Sequence, residues 1–305
     1  KRLASVNVES SVENRLKFRE TLFSSEGMNH IGGVILYDET IKQTASSGKS
    51  IPELIKSFGS IPGIKVDTGV KKLAGSPEEK ITEGLDGLKE RLQEYYKLGA
   101  RFTKWRAVYN IGKNYPSVQS IKSNAHALAR YAALAQESNM VPIVEPEVLM
   151  DGDHDIDICY KVTTDVLNEC FSELVTQKVL LKGIVLKPNM IVPGFKSSKK
   201  VTSEEIAKKT LDCLKKNVPS DVPGIAFLSG GQSEQEATNN LDAINKINDT
   251  SFLITYSYGR ALQKSALKTW SSEMNNTKAI HDVFNHRAKM NGLASKGEWS
   301  QALEA

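Results

Sequence analysis

Residues 183–190 read "GIVLKPNM": a short apolar run, Ile184-Val185-Leu186, is closed by Lys187 and stopped at once by Pro188. A run so short, and rich in β-branched residues, predicts a buried strand rather than a helix. Proline lacks the N–H that a continuing ladder needs, so the strand ends beside its own lysine. An amine in that position requires the strand end to open onto a polar place.

Six further runs are built alike: "IGGVILYD" (31–38), "GIKVDTG" (63–69), "RFTKWRAV" (101–108), "VPIVEPEV" (141–148), "GIAFLSGG" (224–231) and "SFLITYSYG" (251–259). Amphipathic segments alternate with them, clearest at 79–97, 116–138, 155–178, 203–216 and 233–246. Helix starts are signalled by Ser76-Pro77-Glu78-Glu79, by Ser203-Glu204-Glu205, and by Ser233 with Glu236 in capping-box spacing. Seven consecutive β–α units predict a parallel sheet joined by right-handed crossovers. A doubly wound sheet would carry a glycine fingerprint after its first strand, and none is present. An eight-stranded barrel needs one strand more. The amphipathic segment 11–24 is then the helix that follows this strand, which lies upstream of Lys1. The reading is α/β: one (β/α)8 TIM barrel domain over 1–305, its first strand upstream of the residues given. The chain opens on Lys1-Arg2-Leu3 without an initiator Met and without a signal peptide, so natural sequence is expected before Lys1.

Composition narrows the function classes. Of 305 residues, 40 are basic and 36 acidic, and the charges are interspersed, giving a net charge of +4. That mild balance argues against nucleic acid as the main partner, while a small anionic substrate fits. No run approaches the roughly 18 apolar residues of a membrane span. Cys159, Cys170 and Cys213 are odd in number and lack metal-ligand spacing, which points to a reducing compartment.

The chemistry lies at the strand ends. Lys65 and Asp67, Lys104 and Arg106, and Glu145 and Glu147 are each two apart near the C-terminal ends of three successive strands. Period 2 puts both members of a pair on one face. Apolar neighbours Ile64, Val66, Ile143 and Val144 argue against simple exposure, and isolated buried charges cost several kcal/mol apiece, so the pairs must converge and neutralise one another. The C-terminal mouth of a barrel is where strand ends converge and where such enzymes keep their chemistry. Lys187 ends the next strand in the same position. Trp105, between Lys104 and Arg106, should point the other way, toward a helix.

The last two strands end in Ser229-Gly230-Gly231 and Ser257-Tyr258-Gly259, each followed by a helix start, with Arg260 next. Glycines let backbone N–H groups approach an anion, the helix dipole favours it, and Arg260 can add a bidentate contact. This is the frequent phosphate site of barrels. Other features carry less. "DGDHD" (151–155) opens like a calcium loop, but Ile156 and Val162 stand where Gly and Glu are needed, so it reads as a turn and helix cap. "FKSSKK" (195–200) reads as a solvated basic loop, and the histidines show no ligand spacing.

A partly desolvated lysine among cations has its pKa lowered, which frees the amine as a nucleophile. Lys104 and Arg106 push Lys187 that way, while Glu145 and Glu147 oppose. The matching chemistry is imine formation with a ketone, in which the protonated imine accepts electrons as a neighbouring C–C bond breaks. Coupled carboxylates can move the protons.

"GIKVDTGV", "KWRAV", "VPIVEPEVL", "LLKGIVLKPNM", "FLSGGQSEQEA" and "SYGRALQ", in this order, closely resemble the class I fructose-1,6-bisphosphate aldolases over nearly the whole chain. The resemblance implies a (β/α)8 barrel, a homotetramer, and Schiff-base chemistry with neither metal nor cofactor. It makes Lys187 the imine-forming lysine and Glu145 the main proton shuttle, with Glu147 and Lys104 assisting and Asp67, Lys65 and Arg106 lining the pocket. Ser229, Gly230, Gly231, Gly259 and Arg260 would hold the ketone-end phosphate, with Ser257 beside them. Lys1 and Arg2 match a basic pair near the site for the other phosphate. The family's first strand carries a catalytic acid in an Ala-Ala-Asp-Glu-Ser motif just before that pair, and its tail ends in a tyrosine; neither lies within these residues. The implied function is cleavage of fructose 1,6-bisphosphate to two triose phosphates in glycolysis or gluconeogenesis, in the cytoplasm, with an organellar address left open. Two alternatives stand beside it: another Schiff-base barrel aldolase, and a catalytically impaired scaffold that binds actin or adhesin tails, as family members do.

Overall fold

The computed structural model describes residues 2–304. Its strands are β1 (Gly33–Leu36), β2 (Ile61–Lys65), β3 (Gly69–Leu73), β4 (Ser76–Glu83), β5 (Phe102–Tyr109), β6 (Val141–Val148), β7 (Val185–Leu186), β8 (Gly224–Phe227) and β9 (Leu253–Tyr256). The helices are α1 (Val12–Phe23), α2 (Asp38–Ile41), α3 (Ile51–Ser57), α4 (Leu88–Lys97), α5 (Val118–Glu137), α6 (Ile156–Thr176), α7 (Ser203–Asn217), α8 (Glu234–Lys246), α9 (Arg260–Ser272) and α10 (Thr277–Ala294). Seven strands form one curled sheet in the order β1-β2-β5-β6-β7-β8-β9, and every pairing in it is parallel. Each new strand is thus laid beside its predecessor in the sheet, with helices packed outside, as crossovers of one hand require. Among the described residues β1 pairs only with β2 and β9 only with β8. At the β9 edge Leu253 is 76% exposed, and Tyr256 donates its hydroxyl to the His30 carbonyl at 3.1 Å, tying β9 to the segment before β1.

The caps form much as the sequence predicts. Asp155 caps α6, and Ser233 with Glu236 closes a capping box on α8; Ser11 adds a cap on α1 that the sequence reading did not single out. Helix α7 is capped by Thr202, one residue before the predicted start. The strand predicted over 183–190 shortens to Val185–Leu186, although Lys187 still donates its N–H to the Val144 carbonyl at 2.8 Å.

One predicted element is overturned. Ser76-Pro77-Glu78-Glu79 does not start a helix: it opens β4, which pairs with β3 as an antiparallel hairpin, and the helix begins only at Leu88. Tertiary contacts decide the matter. Glu79 is buried and accepts from the Ser117 N–H at 2.8 Å, and the Thr82 hydroxyl donates to the Arg106 carbonyl at 2.7 Å. The hairpin therefore lies across the end of β5 and the start of α5.

Strand alternation sorts the layers. Trp105 points away from the sheet interior, is fully buried, and stacks on Tyr131 of α5 with ring centroids 5.5 Å apart. Val144, Leu186 and Ile225 fill the same helix-facing layer. Trp105→Ala should lower the free energy of unfolding by about 3–5 kcal/mol, the range for emptying a large aromatic site. Urea denaturation of the full chain measures it.

Candidate active site

The opposite face of those strands carries the charges. Lys65, Lys104, Arg106, Glu145, Glu147 and Lys187 line a cavity of about 920 Å³ inside the sheet. Parallel register sets the neighbours: Arg106 lies beside Glu145, and Lys104 beside Lys65. Two ammonium groups side by side repel, and Asp67, just past β2, relieves them. It pairs with Lys65, lies 3.6 Å from Lys104 Nζ, and accepts the Arg106 backbone N–H at 3.2 Å. Asp67 itself does not line the cavity; it acts from behind the two lysines.

Glu145 is the hub. Its Oε1 is 3.0 Å from Lys187 Nζ and its Oε2 is 3.0 Å from Lys104 Nζ, while Glu147 pairs with Arg106 Nε. Glu145 is 3% exposed and Lys187 8%. Burial pushes the Lys187 pKa down and the charge of Lys104 adds to this, with Glu145 opposing. Burial also works to lower Lys104, but Glu145 and Asp67 outweigh it and hold that amine above its ordinary value. Glu145 resists burial in the same way, since Lys104 and Lys187 keep its carboxyl below the usual range. Of the two amines on Glu145, Lys187 is the one whose pKa is lowered.

The loops after β8 and β9 form one rim of the cavity through Ser229, Gly230, Ser257, Gly259 and Arg260. Gly230 is left-handed, with φ +57°. Arg260 is the first residue of α9, so the rim sits on a helix N-terminus. Arg2 joins this rim rather than the opposite end: it donates to Gln263 Oε1 at 3.0 Å, and a Cβ on Gly259 would stand 2.6 Å from its Nη2. Lys1 lies outside the described residues. Gly231 is not on the cavity wall; a Cβ there would meet the Phe195 ring at 2.6 Å.

Two cavity residues escape the sequence reading. Tyr37 follows β1 at the strand-end position that the charged pairs occupy elsewhere, and its ring centroid is 6.0 Å from Lys65 Nζ. Gln263 stands four residues past Gly259, so one turn of α9 returns it to the same rim. Among the described residues no group of three or more His, Cys, Asp or Glu side chains is placed to hold a metal.

Comparison with known proteins points one way. A family model described as fructose-bisphosphate aldolase class-I matches residues 1–305. A probable fructose-bisphosphate aldolase class 1 of Xylella fastidiosa is 50% identical over 301 residues, covering 98% of this chain and 90% of that protein. The cytosolic fructose-bisphosphate aldolase 4 of Arabidopsis thaliana is 50% identical over 299 residues, covering 97% of this chain and 76% of that one. Among solved structures, fructose-bisphosphate aldolase from Plasmodium falciparum, in complex with TRAP and a small-molecule inhibitor, superposes with a TM-score of 0.96 at 44% identity, covering 98% of this chain and 87% of that one.

The electrostatics can be checked without any substrate. Reductive ¹³C-methylation followed by NMR titration should find Lys187 below the ordinary lysine pKa. Lys104→Met removes a like charge and leaves Glu145 to Lys187 alone, so the Lys187 midpoint should move to higher pH.

Proposed function

The chain belongs to the class-I fructose-bisphosphate aldolase family, and on that premise we propose how it cleaves fructose 1,6-bisphosphate to dihydroxyacetone phosphate and glyceraldehyde 3-phosphate. One observation carries the reading: a buried lysine of lowered pKa touches a carboxylate whose second oxygen is held by another, charged lysine. Unprotonated Lys187 Nζ attacks the C2 ketone of the open-chain sugar. The charged Lys104 protonates the C2 alkoxide to a hydroxyl. Glu145 takes the proton from the new Lys187 ammonium and passes it to that hydroxyl, so that water leaves and a protonated imine remains; the later hydrolysis of the imine returns the proton to Lys104.

A carboxylate then removes the C4 hydroxyl proton and the C3–C4 bond breaks. Its electrons flow into the imine to give an enamine, and C4 departs as the aldehyde of glyceraldehyde 3-phosphate. Protonation at C3 and addition of water release dihydroxyacetone phosphate and regenerate the amine. Lys104 and Glu147 assist at the carbinolamine and cleavage steps, and Asp67 keeps Lys104 in place. Ser229, Gly230, Ser257, Gly259 and Arg260 bind the ketone-end phosphate, with Arg2 beside them. Lys65 and Arg106 supply cations on the opposite wall.

Family membership sets aside the other Schiff-base barrel aldolases. We further infer that the chain works as one barrel domain, assembles as a homotetramer, and acts in the cytoplasm, as the cytosolic isozymes of Arabidopsis thaliana and Pisum sativum do. A second reading adds a partner: the Plasmodium relative was solved with TRAP, and the exposed basic rim here, Arg2 and Arg260, suits an acidic segment of an adhesin tail or of actin. Substrate competition against such a segment tests it.

Borohydride reduction in the presence of dihydroxyacetone phosphate should trap an adduct on Lys187, read by peptide mass spectrometry. Lys187→Met should abolish it. Glu145→Gln should slow both adduct formation and cleavage by about 10²–10⁴-fold, the usual contribution of a placed acid–base group. An unmodified Lys187 in the wild-type chain would overturn the mechanism.

A further inference from the structure

The Gly230-Gly231 turn has no side chains of its own to hold its shape. Both residues are left-handed, with φ +57° and +95°, a conformation that glycine enters freely and leaves as freely. One backbone bond closes the turn, from the Gln232 N–H to the Ser229 carbonyl at 2.9 Å, and any further restraint on the two glycines has to come from outside it.

Two side chains close on it from neighbouring loops. A Cβ on Gly230 would stand 3.0 Å from Met150 Sδ, and one on Gly231 would stand 2.6 Å from Phe195 Cζ. The latter point is also 3.6 Å from Arg260 Nη2, so the phenyl ring and the guanidinium flank Gly231 together. Met150 lies in the loop after β6, and Phe195 in the loop after β7.

Those two loops are stitched to each other. Gly194 N–H donates to the His154 carbonyl at 2.9 Å, Phe195 N–H to the Met150 carbonyl at 2.9 Å, and Lys196 N–H to the Gly152 carbonyl at 2.8 Å. A Cβ on Gly194 would come within 2.5 Å of the Gly152 oxygen, so only glycine permits the crossing. His154, 5% exposed, is packed beside it. The stretch "FKSSKK", which the sequence alone presents as solvated, therefore begins with a residue whose backbone is fixed and whose ring lies against Gly231. Phe195 is nonetheless 58% exposed, so the fold makes little use of it.

We propose that Phe195, backed by Met150 across the stitched loops, is a positioning residue for the ketone-end phosphate: it holds Gly230-Gly231 and Arg260 in their anion-binding arrangement. This rests on the aldolase reading above and adds to it a residue with no part in the bond-making steps. The phosphate concerned is shared by fructose 1,6-bisphosphate and dihydroxyacetone phosphate but absent from the glyceraldehyde 3-phosphate half. A defect in the clasp must therefore discriminate between the two trioses.

Steady-state kinetics of full-length wild type, Phe195→Ala and Phe195→Leu in both directions test this. In condensation, Phe195→Ala should raise KM for dihydroxyacetone phosphate about tenfold, equivalent to about 1.4 kcal/mol of binding. KM for glyceraldehyde 3-phosphate and kcat should stay within about twofold, the signature of lost ground-state binding. In cleavage, KM for fructose 1,6-bisphosphate should rise in parallel, and Phe195→Leu should recover most of the loss. Unchanged KM values, equal increases for both trioses, or a fall in kcat alone would each overturn the proposal. A wild-type chain that fails to cleave the bisphosphate would remove the aldolase reading itself, whereas active wild type with no triose discrimination in Phe195→Ala removes only the clasp.

Discussion

Everything in the site hangs on one carboxylate shared by two amines. Glu145 sits nearly dry between Lys187 and Lys104, and no member of the trio could stay charged there alone. That requirement reaches back into the sheet. Val185 pairs with Ile143 and Leu186 with Val144, so the next step of the same register brings Lys187 level with Glu145. On the other side Arg106 is level with Glu145. A slip of one residue would turn these charges into the layer of Trp105 and Val144 and put apolar side chains into the cavity. The charge network and the strand register thus specify each other.

The same arrangement separates two chemically identical amines. Lys104 faces two carboxylates, Glu145 and Asp67, and is held protonated; Lys187 contacts one and feels Lys104 as a like charge, and its pKa falls. The proposed imine chemistry needs this division, because one amine must be free to attack while a cation nearby steadies the oxygen that leaves. Asp67 contributes without reaching the cavity wall. It neutralises the Lys65–Lys104 juxtaposition that the β2–β5 register imposes.

What the sequence makes legible follows from what a strand does. Alternation is a property of the chain itself, so the pairs at 65 and 67, 104 and 106, and 145 and 147, together with Lys187 and the outward turn of Trp105, can be read without coordinates. Ser233 with Glu236 is equally local. The β3–β4 hairpin is not: Ser76-Pro77-Glu78-Glu79 satisfies every local rule for a helix start, and only the burial of Glu79 against Ser117 and of Thr82 against Arg106 makes it a strand. Arg2 is placed by Gly259 and Gln263, more than 250 residues away in sequence, which no pattern near the N-terminus reveals.

Strand-borne and loop-borne groups are fixed by different means, and that difference divides the labour of the site. Lys104, Arg106, Glu145 and Glu147 stand on backbone locked by a continuous parallel ladder, with Lys187 still bonded to it through Val144, which suits groups that must keep their distances while protons move. Anion recognition instead uses backbone N–H groups, and those are bare enough to meet a phosphate only where glycine removes the side chain. Removing the side chain also removes the packing that would hold the turn. The loss has to be made good by neighbours, and the loops after β6 and β7 supply them in Met150 and Phe195. Because those loops continue from the strands that carry the carboxylates and the amine, the geometry of the Gly230-Gly231 turn is tied to that of Glu145 and Lys187 through backbone, with no charged group required between them.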